Sequence, residues 1–148
     1  MPKPSKPTAL FTSNNWYFEL QGFVSPHFHT LEGISRKSGE VSIVDGGTNV
    51  RHKFSSQIKD YGNITLTRAY DGSVDDTAIR VLTDLSLNTC SRFDGNLVKL
   101  HCGQEVFRIL FLGMRIMEEV HPTLSTEAED KYDVKYSLSV SEWVEIRV

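Results

Sequence analysis

Alternation of apolar and polar residues is clearest near the C-terminus, in the segment KYDVKYSLSV. One face of an extended chain here carries Tyr132, Val134, Tyr136, Leu138 and Val140. The other face carries Asp133, Lys135, Ser137 and Ser139. A period of two residues predicts a β-strand with one buried face. We expect the apolar set to point into a core and the polar set to lie on the surface.

Further segments have the composition of strands, with β-branched and aromatic residues bounded by turn residues. They are residues 16–24, the short segment FHTL, residues 40–44, residues 63–70, two strands that meet at Gly103, and the closing SEWVEIRV. Residues 107–112 are apolar on both faces except at Arg108. Such a strand is expected to be covered on both sides.

One helix is predicted between the Asp71-Gly72 turn and Asn88. Ser73 and Asp76 have the spacing of a capping box, and acidic residues suit the N-terminal end of a helix dipole. The predicted buried stripe consists of Ala78, Val81, Leu82 and Leu85. The expected fold is therefore mainly β, a sandwich or split barrel of about seven or eight strands with one α-helix.

The segment from Asp45 to Asp60 shows no regular period and is predicted to be a long irregular loop. Loops of this length are uncommon in compact domains and are usually functional. It concentrates basic groups in a chain whose net charge is −3. We predict that it contacts another subunit through Asp45, Asn49, Arg51, His52, Lys53 and Lys59.

Length and composition limit the classes of protein. The 148 residues suffice for one domain, predicted over 14–148, preceded by a flexible Pro-rich arm at 1–13. The acidic balance gives no general attraction to nucleic acid or to anionic membranes. Cys90 and Cys102 have the spacing of neither a redox pair nor a zinc site. No apolar run is long enough for a membrane span, and the N-terminus lacks the apolar core of a signal peptide. Synthesis in a cytoplasm is the expectation.

Candidate chemistry is sparse. His27 and His29 could share a strand face, but no third metal ligand is evident nearby. DGGTN lacks the following helix and the lysine of a phosphate-binding loop, so it is interpreted as a turn. We predict no enzyme, metal or cofactor. A monomeric carbohydrate- or lipid-binding sandwich remains an alternative, with Trp16 and Trp143 as its possible aromatic platform, and a zinc or hydrolytic enzyme is a third.

The order of these segments resembles the tail-tube proteins of contractile-tailed bacteriophages. The resemblance covers about residues 15–147 and depends on a Gly-Ile step, a Gly-Gly-x-Asn turn, a strand of the type Asn-Ile-Thr-Leu-x-Arg and a closing acidic-aromatic segment. The matching residues are Gly33, Ile34, Asp45, Gly46, Gly47, Thr48, Asn49, Lys59, Tyr61, Asn63, Ile64, Thr65, Leu66, Arg68, Glu142, Trp143 and Glu145.

The resemblance implies a structural subunit without catalytic residues. Its strands would join between subunits into a tube barrel, and hexameric rings would stack into a channel for DNA inside a contractile sheath. The implied partners are further copies, the sheath, baseplate and terminator proteins, and the tape measure protein and DNA in the lumen, with no membrane. The implied location is the virion tail, assembled in the host cytoplasm. Asp133, Lys135, Ser137 and Ser139 are candidates for the lumen face.

Two departures from the family leave alternatives open. The chain has SSQIKD where the family often has Leu-Pro-Gly, and residues 113–116 stand where it often has Ala-Trp-Pro. A tube or tube-initiator protein of a contractile injection system is therefore the alternative within the same class.

Overall fold

A computed structural model of the chain describes residues 10–20, 27–127 and 130–147. Within these ranges there are nine strands and one helix, so the mainly β class with a single helix is confirmed. The elements are β1 Trp16–Leu20, β2 Thr30–Glu32, β3 Arg36–Asp45, β4 Val50–Tyr61, β5 Ile64–Ala69, α1 Val74–Asn88, β6 Phe93–His101, β7 Gln104–Val120, β8 Asp133–Ser139 and β9 Glu142–Arg147. Residues 1–9 of the predicted arm and 21–24 of the predicted first strand lie outside the described residues.

Seven strands form one antiparallel sheet that turns a corner within β7. The first part of β7 pairs with β6 and β9, and its last part pairs with β8, which leads on to β5 and β2. Gly113 lies at the corner with φ +64, and a Cβ there would come within 2.7 Å of the Ser141 hydroxyl oxygen. Only glycine suits that position. Over the described strands the sheet stays open and does not close into a barrel.

The two arms of this bent sheet enclose the hydrophobic core. Phe18 of β1 and Phe111 of β7 meet with their ring centroids 5.5 Å apart. The register predicted for β8 is confirmed, because Val134, Tyr136, Leu138 and Val140 are all buried and Tyr132 is half-buried. Burial, together with a hydrogen bond to the Tyr70 hydroxyl, raises the pKa of Tyr136 far above its ordinary value.

The helix packs through a different face from the one predicted. Its buried residues are Ile79, Leu82, Thr83 and Ser86. Val81 and Leu85 are about half exposed. The sequence offers apolar residues on two sides of the helix, and Thr83 satisfies its hydroxyl internally by donating to the Ile79 carbonyl at 2.8 Å. The predicted stripe is therefore wrong at Val81 and Leu85, whereas Leu82 is buried and Ala78 is half-buried.

The predicted capping box is also wrong, because the side chains of Ser73 and Asp76 accept hydrogen bonds from a buried arginine. Arg68 of β5 is fully buried and donates to Asp76 Oδ1 at 2.6 Å and to the Ser73 hydroxyl at 3.2 Å. Its guanidinium also reaches Asp71 Oδ1 and the His27 carbonyl. Asp76 Oδ2 instead accepts the Gly72 N–H at 2.8 Å. Arg68 thus fastens the start of the helix and the approach to β2 onto the sheet.

Candidate assembly surfaces

The long irregular loop predicted from Asp45 to Asp60 is wrong. Residues 50–61 form β4, which pairs with β3 in a separate two-stranded sheet. Only residues 46–49 form the turn, closed by the Asn49 N–H on the Asp45 carbonyl at 2.8 Å. Asn49 has φ +57, a conformation that asparagine tolerates better than most residues.

A bulge explains why the period of β4 is not visible in the sequence. Ser38 faces Lys59 and Glu40 faces Ser55, so residues 56–58 stand opposite Gly39 alone. Gln57 has φ +61, and a Cβ on Gly39 would overlap the Ser56 hydroxyl. Extra residues of this kind interrupt the alternation that identifies a strand.

The hairpin tip, which we define as residues 40–55, has one apolar and one polar face. Cross-strand partners lie on the same face. The pairs of the apolar face are Val41 with Phe54, Ile43 with His52 and Asp45 with Val50. The pairs of the polar face are Glu40 with Ser55, Ser42 with Lys53 and Val44 with Arg51. Every residue of the tip is exposed, including Ile43 at 59%.

The base of the hairpin is fixed to the body by Trp143 of β9. The indole Nε1 donates to the Ser35 carbonyl at 3.2 Å, and the Arg36 guanidinium lies 4.6 Å from the centroid of the indole ring. Tyr61 meets the same ring edge to face at 6.0 Å. Trp143 is therefore an anchor, and Trp16 packs partly buried against the core. The two tryptophans lie at separate places and each is half-buried, so they do not form one shared aromatic platform.

The six predicted contact residues all lie on this hairpin but do not form one cluster. Asp45 and Asn49 bound the turn, Arg51 and Lys53 share the polar face, and His52 lies on the apolar face. Lys59 lies beyond the bulge, near the base. Residues 36–61 hold five Lys and Arg against three Asp and Glu, whereas the whole chain has a net charge of −3. The hairpin is thus a basic element on an acidic body.

The predicted lumen residues share the outward face of β8. Their cross-strand neighbours are also polar, because Lys135 faces Thr67 and Ser137 faces Thr65. Asp133 Oδ1 is hydrogen-bonded to His29 Nε2 at 3.1 Å. Ser139 faces Arg115 of β7. The structure therefore gathers Asp133, Lys135, Ser137 and Ser139 on a polar, hydroxyl-rich surface, and their role in lining a channel stays a prediction.

A second apolar surface was not found from the sequence. Phe111 and Ile109 of β7 point into the core, as predicted, but Leu112 lies on the opposite face and is exposed. Val144 and Ile146 of β9 are exposed on that same face. With the half-buried Leu110, these residues form what we call the outer patch. Within the single chain this part of β7 is covered on its core face only, so the expectation that both of its faces are covered is not met.

No cluster of His, Cys, Asp or Glu suited to a metal ion occurs among the described residues. The two ring nitrogens of His29 are hydrogen-bonded to the Thr30 hydroxyl and to the Asp133 carboxylate. No helix in the described ranges has the length and apolar character to cross a membrane. Cys90 and Cys102 are both free and exposed.

Solved structures with the same fold come from contractile particles and phage tails. A chain of an extracellular contractile injection system, from its extended sheath–tube complex, aligns with a TM-score of 0.79 and 14% identity over 95% of this chain and 94% of that one. The tube-terminating cap of the anti-feeding prophage aligns with a TM-score of 0.80 and 13% identity over 99% of this chain and 97% of that one. The SPP1 tail tube aligns with a TM-score of 0.61 and 13% identity over 94% of this chain and 80% of that one.

Sequence comparison adds no closer relative. No protein-family model matches the chain, and no curated protein matches it. At 13–14% identity the structural likeness establishes the fold. The tail-tube fold expected from the sequence resemblance is therefore confirmed.

Proposed function

We propose that this chain is a structural, non-catalytic subunit of a tube that assembles by head-to-tail self-association inside a contractile sheath. One observation carries the proposal: a chain with the tail-tube fold projects a hairpin whose apolar face has no partner among the described residues. An isolated two-stranded hairpin is only marginally stable in water, so such an element gains its stability from a neighbour.

Self-association through a hairpin is heterologous, because the hairpin and the surface that receives it are different parts of the subunit. Repeated heterologous contacts close into rings or continue as helical filaments. We propose hexameric rings that stack, with strands of neighbouring subunits continuing the open sheet. The basic hairpin and the acidic remainder of the chain favour contact between copies over contact between like hairpins.

The lumen is the proposed place for the polar face of β8. Affinity for a polyanion comes mainly from Lys and Arg on phosphates. On this face the cations Lys135 and Arg115 are balanced by the carboxylates of Asp133 and Glu118, among threonine and serine hydroxyls. A channel lined in this way would let a charged cargo pass without holding it. In a phage tail the cargo would be DNA and the tape measure protein.

Within this class, the comparisons favour an injection-system tube as the second candidate. The TM-score is 0.79 for a chain of an extracellular contractile injection system, 0.80 for the tube-terminating cap of the anti-feeding prophage and 0.61 for the SPP1 tail tube. In either case the proposed partners are a sheath, a baseplate and a terminator. The proposed location is the tail of a virion or of a virion-like particle after assembly in the host cytoplasm.

Electron microscopy of the purified protein at high concentration tests the proposal, both alone and coexpressed with a baseplate that can nucleate growth. The parent chain should form rings or tubes. A variant in which Asn-Gly replaces residues 41–54 should keep the folded body and form neither, since this dipeptide can close a two-residue turn between the directly paired Glu40 and Ser55. Leu124→Ser, at an exposed loop residue, is the control and should assemble. Particle-free parent samples under both conditions would refute a tube role.

A further inference from the structure

The outer patch is an apolar area on a surface that the single chain leaves uncovered. Leu112, Val144 and Ile146 are each about two-fifths exposed, and they lie side by side across the β7–β9 pairing. β9 has β7 as its sole partner among the described strands, so its second edge is unpaired. Glu142, which faces Leu112, and Arg108, which faces Ile146 and is paired with Glu105, place charges of both signs on the same face. Contiguous exposed apolar area of this kind marks interaction sites.

The hairpin tip has the complementary properties. Its apolar face presents Val41, Ile43 and Phe54 on a two-stranded ribbon, a shape that can lie on the face of another sheet. Its opposite face carries Arg51 and Lys53 together with Glu40. The hairpin as a whole, residues 36–61, has a net positive charge, whereas the rest of the chain has a net negative charge. The apolar face of the tip thus matches the outer patch in apolar character, and the opposite net charges favour contact between the hairpin of one copy and the body of another.

The tip does not cover the patch of its own chain. Trp143, which anchors the hairpin base, faces the fully buried Phe111, so it lies on the core side of β9. The outer patch is on the other side of the same strand pair. Among the described strands, the tip pairs only within the hairpin, and both apolar surfaces are exposed. The chain therefore carries two separate exposed apolar surfaces.

We propose that the apolar face of the hairpin tip docks on the outer patch of a second copy of this chain. The inference rests on the proposed tube function and deepens it by naming the acceptor surface. The exposed helix residues Val74, Val81 and Leu85 are the competing apolar surface. A rounded helix offers the flat ribbon less area than a sheet face does, and the helix lacks an unpaired strand edge.

Cross-linking between two differently labelled chains tests this pairing. In a background with Cys90→Ser and Cys102→Ser, one chain carries Ile43→Cys and the other carries Val144→Cys. After mixing under assembly conditions and adding a short bis-maleimide, a covalent heterodimer should form. The matched control replaces the second chain by one with Val74→Cys, which is 84% exposed, and should yield several-fold less heterodimer.

The possible outcomes separate this inference from the tube function. Assembly of the parent with strong cross-linking to position 74, or with none to position 144, would overturn the acceptor surface and leave the tube function standing. Absence of any self-association in the parent, with or without a baseplate, would overturn both. Cross-linking at position 144 that exceeds the control only in assembled samples would support both.

Discussion

The body and the β3–β4 hairpin contain the same kinds of apolar residues in opposite surroundings. In the body, Ile64 and Leu138 are 0% and 1% exposed. In the hairpin, Ile43 and Ile58 are 59% and 62% exposed. The hydrophobic effect scales with the area removed from water, so the body accounts for the stability of the single chain. The hairpin keeps comparable apolar area available for a contact with another copy.

The largest expected difference between the two regions concerns truncation of an apolar side chain. Leu138→Ala should lower the free energy of unfolding by about 2–5 kcal/mol, because it leaves a cavity in the core. Ile43→Ala should change it by less than about 0.5 kcal/mol in the monomer, since that side chain has little to lose. Urea unfolding of dilute samples measures both. Equal losses would mean that the hairpin is part of the cooperative core.

A slightly smaller loss is expected where the body depends on a buried charge. Arg68→Met should cost about 3 kcal/mol, the lower end for breaking a buried pair, because the Asp76 carboxylate keeps some access to water. Hydrogen exchange should accelerate first at residues 71–76, whose turn the guanidinium holds. Arg80→Met, on the exposed side of the helix, is the control. Exchange that stays parental in this turn would contradict the role given to Arg68.

A third test concerns the junction between the two regions. Trp143→Phe retains an aromatic ring but removes the hydrogen bond to the Ser35 carbonyl, at a cost of about 1 kcal/mol. Limited proteolysis of the monomer should then cut faster within residues 36–61, while the body remains resistant. Cleavage at the parental rate would show that Trp143 does not hold the hairpin base.

The smallest effect is expected at acid pH. Hydrogen bonds from the side chain and then the backbone of Ser73, with help from the charge of Arg68, lower the pKa of Asp71 below 3.8. A lowered pKa in the folded state adds stability above the ordinary value and loses it as the pH falls through the lowered one. Asp71→Asn should therefore flatten the decline in stability below pH about 4. A decline as steep as in the parent would exclude this contribution.

The strand register is predicted better from the sequence where a strand buries one face than where it buries neither face. The alternation in β8 predicts its register because Val134 and Leu138 must enter the core and Lys135 must not. The same reasoning fails for β4, because both faces of the hairpin are exposed and a bulge at Gln57 breaks the period. The irregular pattern therefore predicts an irregular loop, which is wrong, and the contact of this segment with another subunit stays a prediction.

Other features could not be derived from local sequence at all. Leu112, Val144 and Ile146 come together only through the pairing of β7 with β9, which no periodicity specifies. Arg68 appears in the sequence only as one position of a resemblance, and its bonds to Ser73 and Asp76 depend on how the helix returns to the sheet. The spacing of a capping box is visible in those two residues, but both side chains accept hydrogen bonds from the buried Arg68 instead.

Hydrogen exchange at the hairpin tip tests most directly the claim that a second copy completes this element. The amides of residues 41–54 should exchange fast in dilute monomer and become protected in assembled protein, while those of β5 and β8 should be protected in both. This change follows from a marginal hairpin that gains a partner. Strong protection of the tip in the dilute monomer, or none in the assembled tube, would contradict the claim.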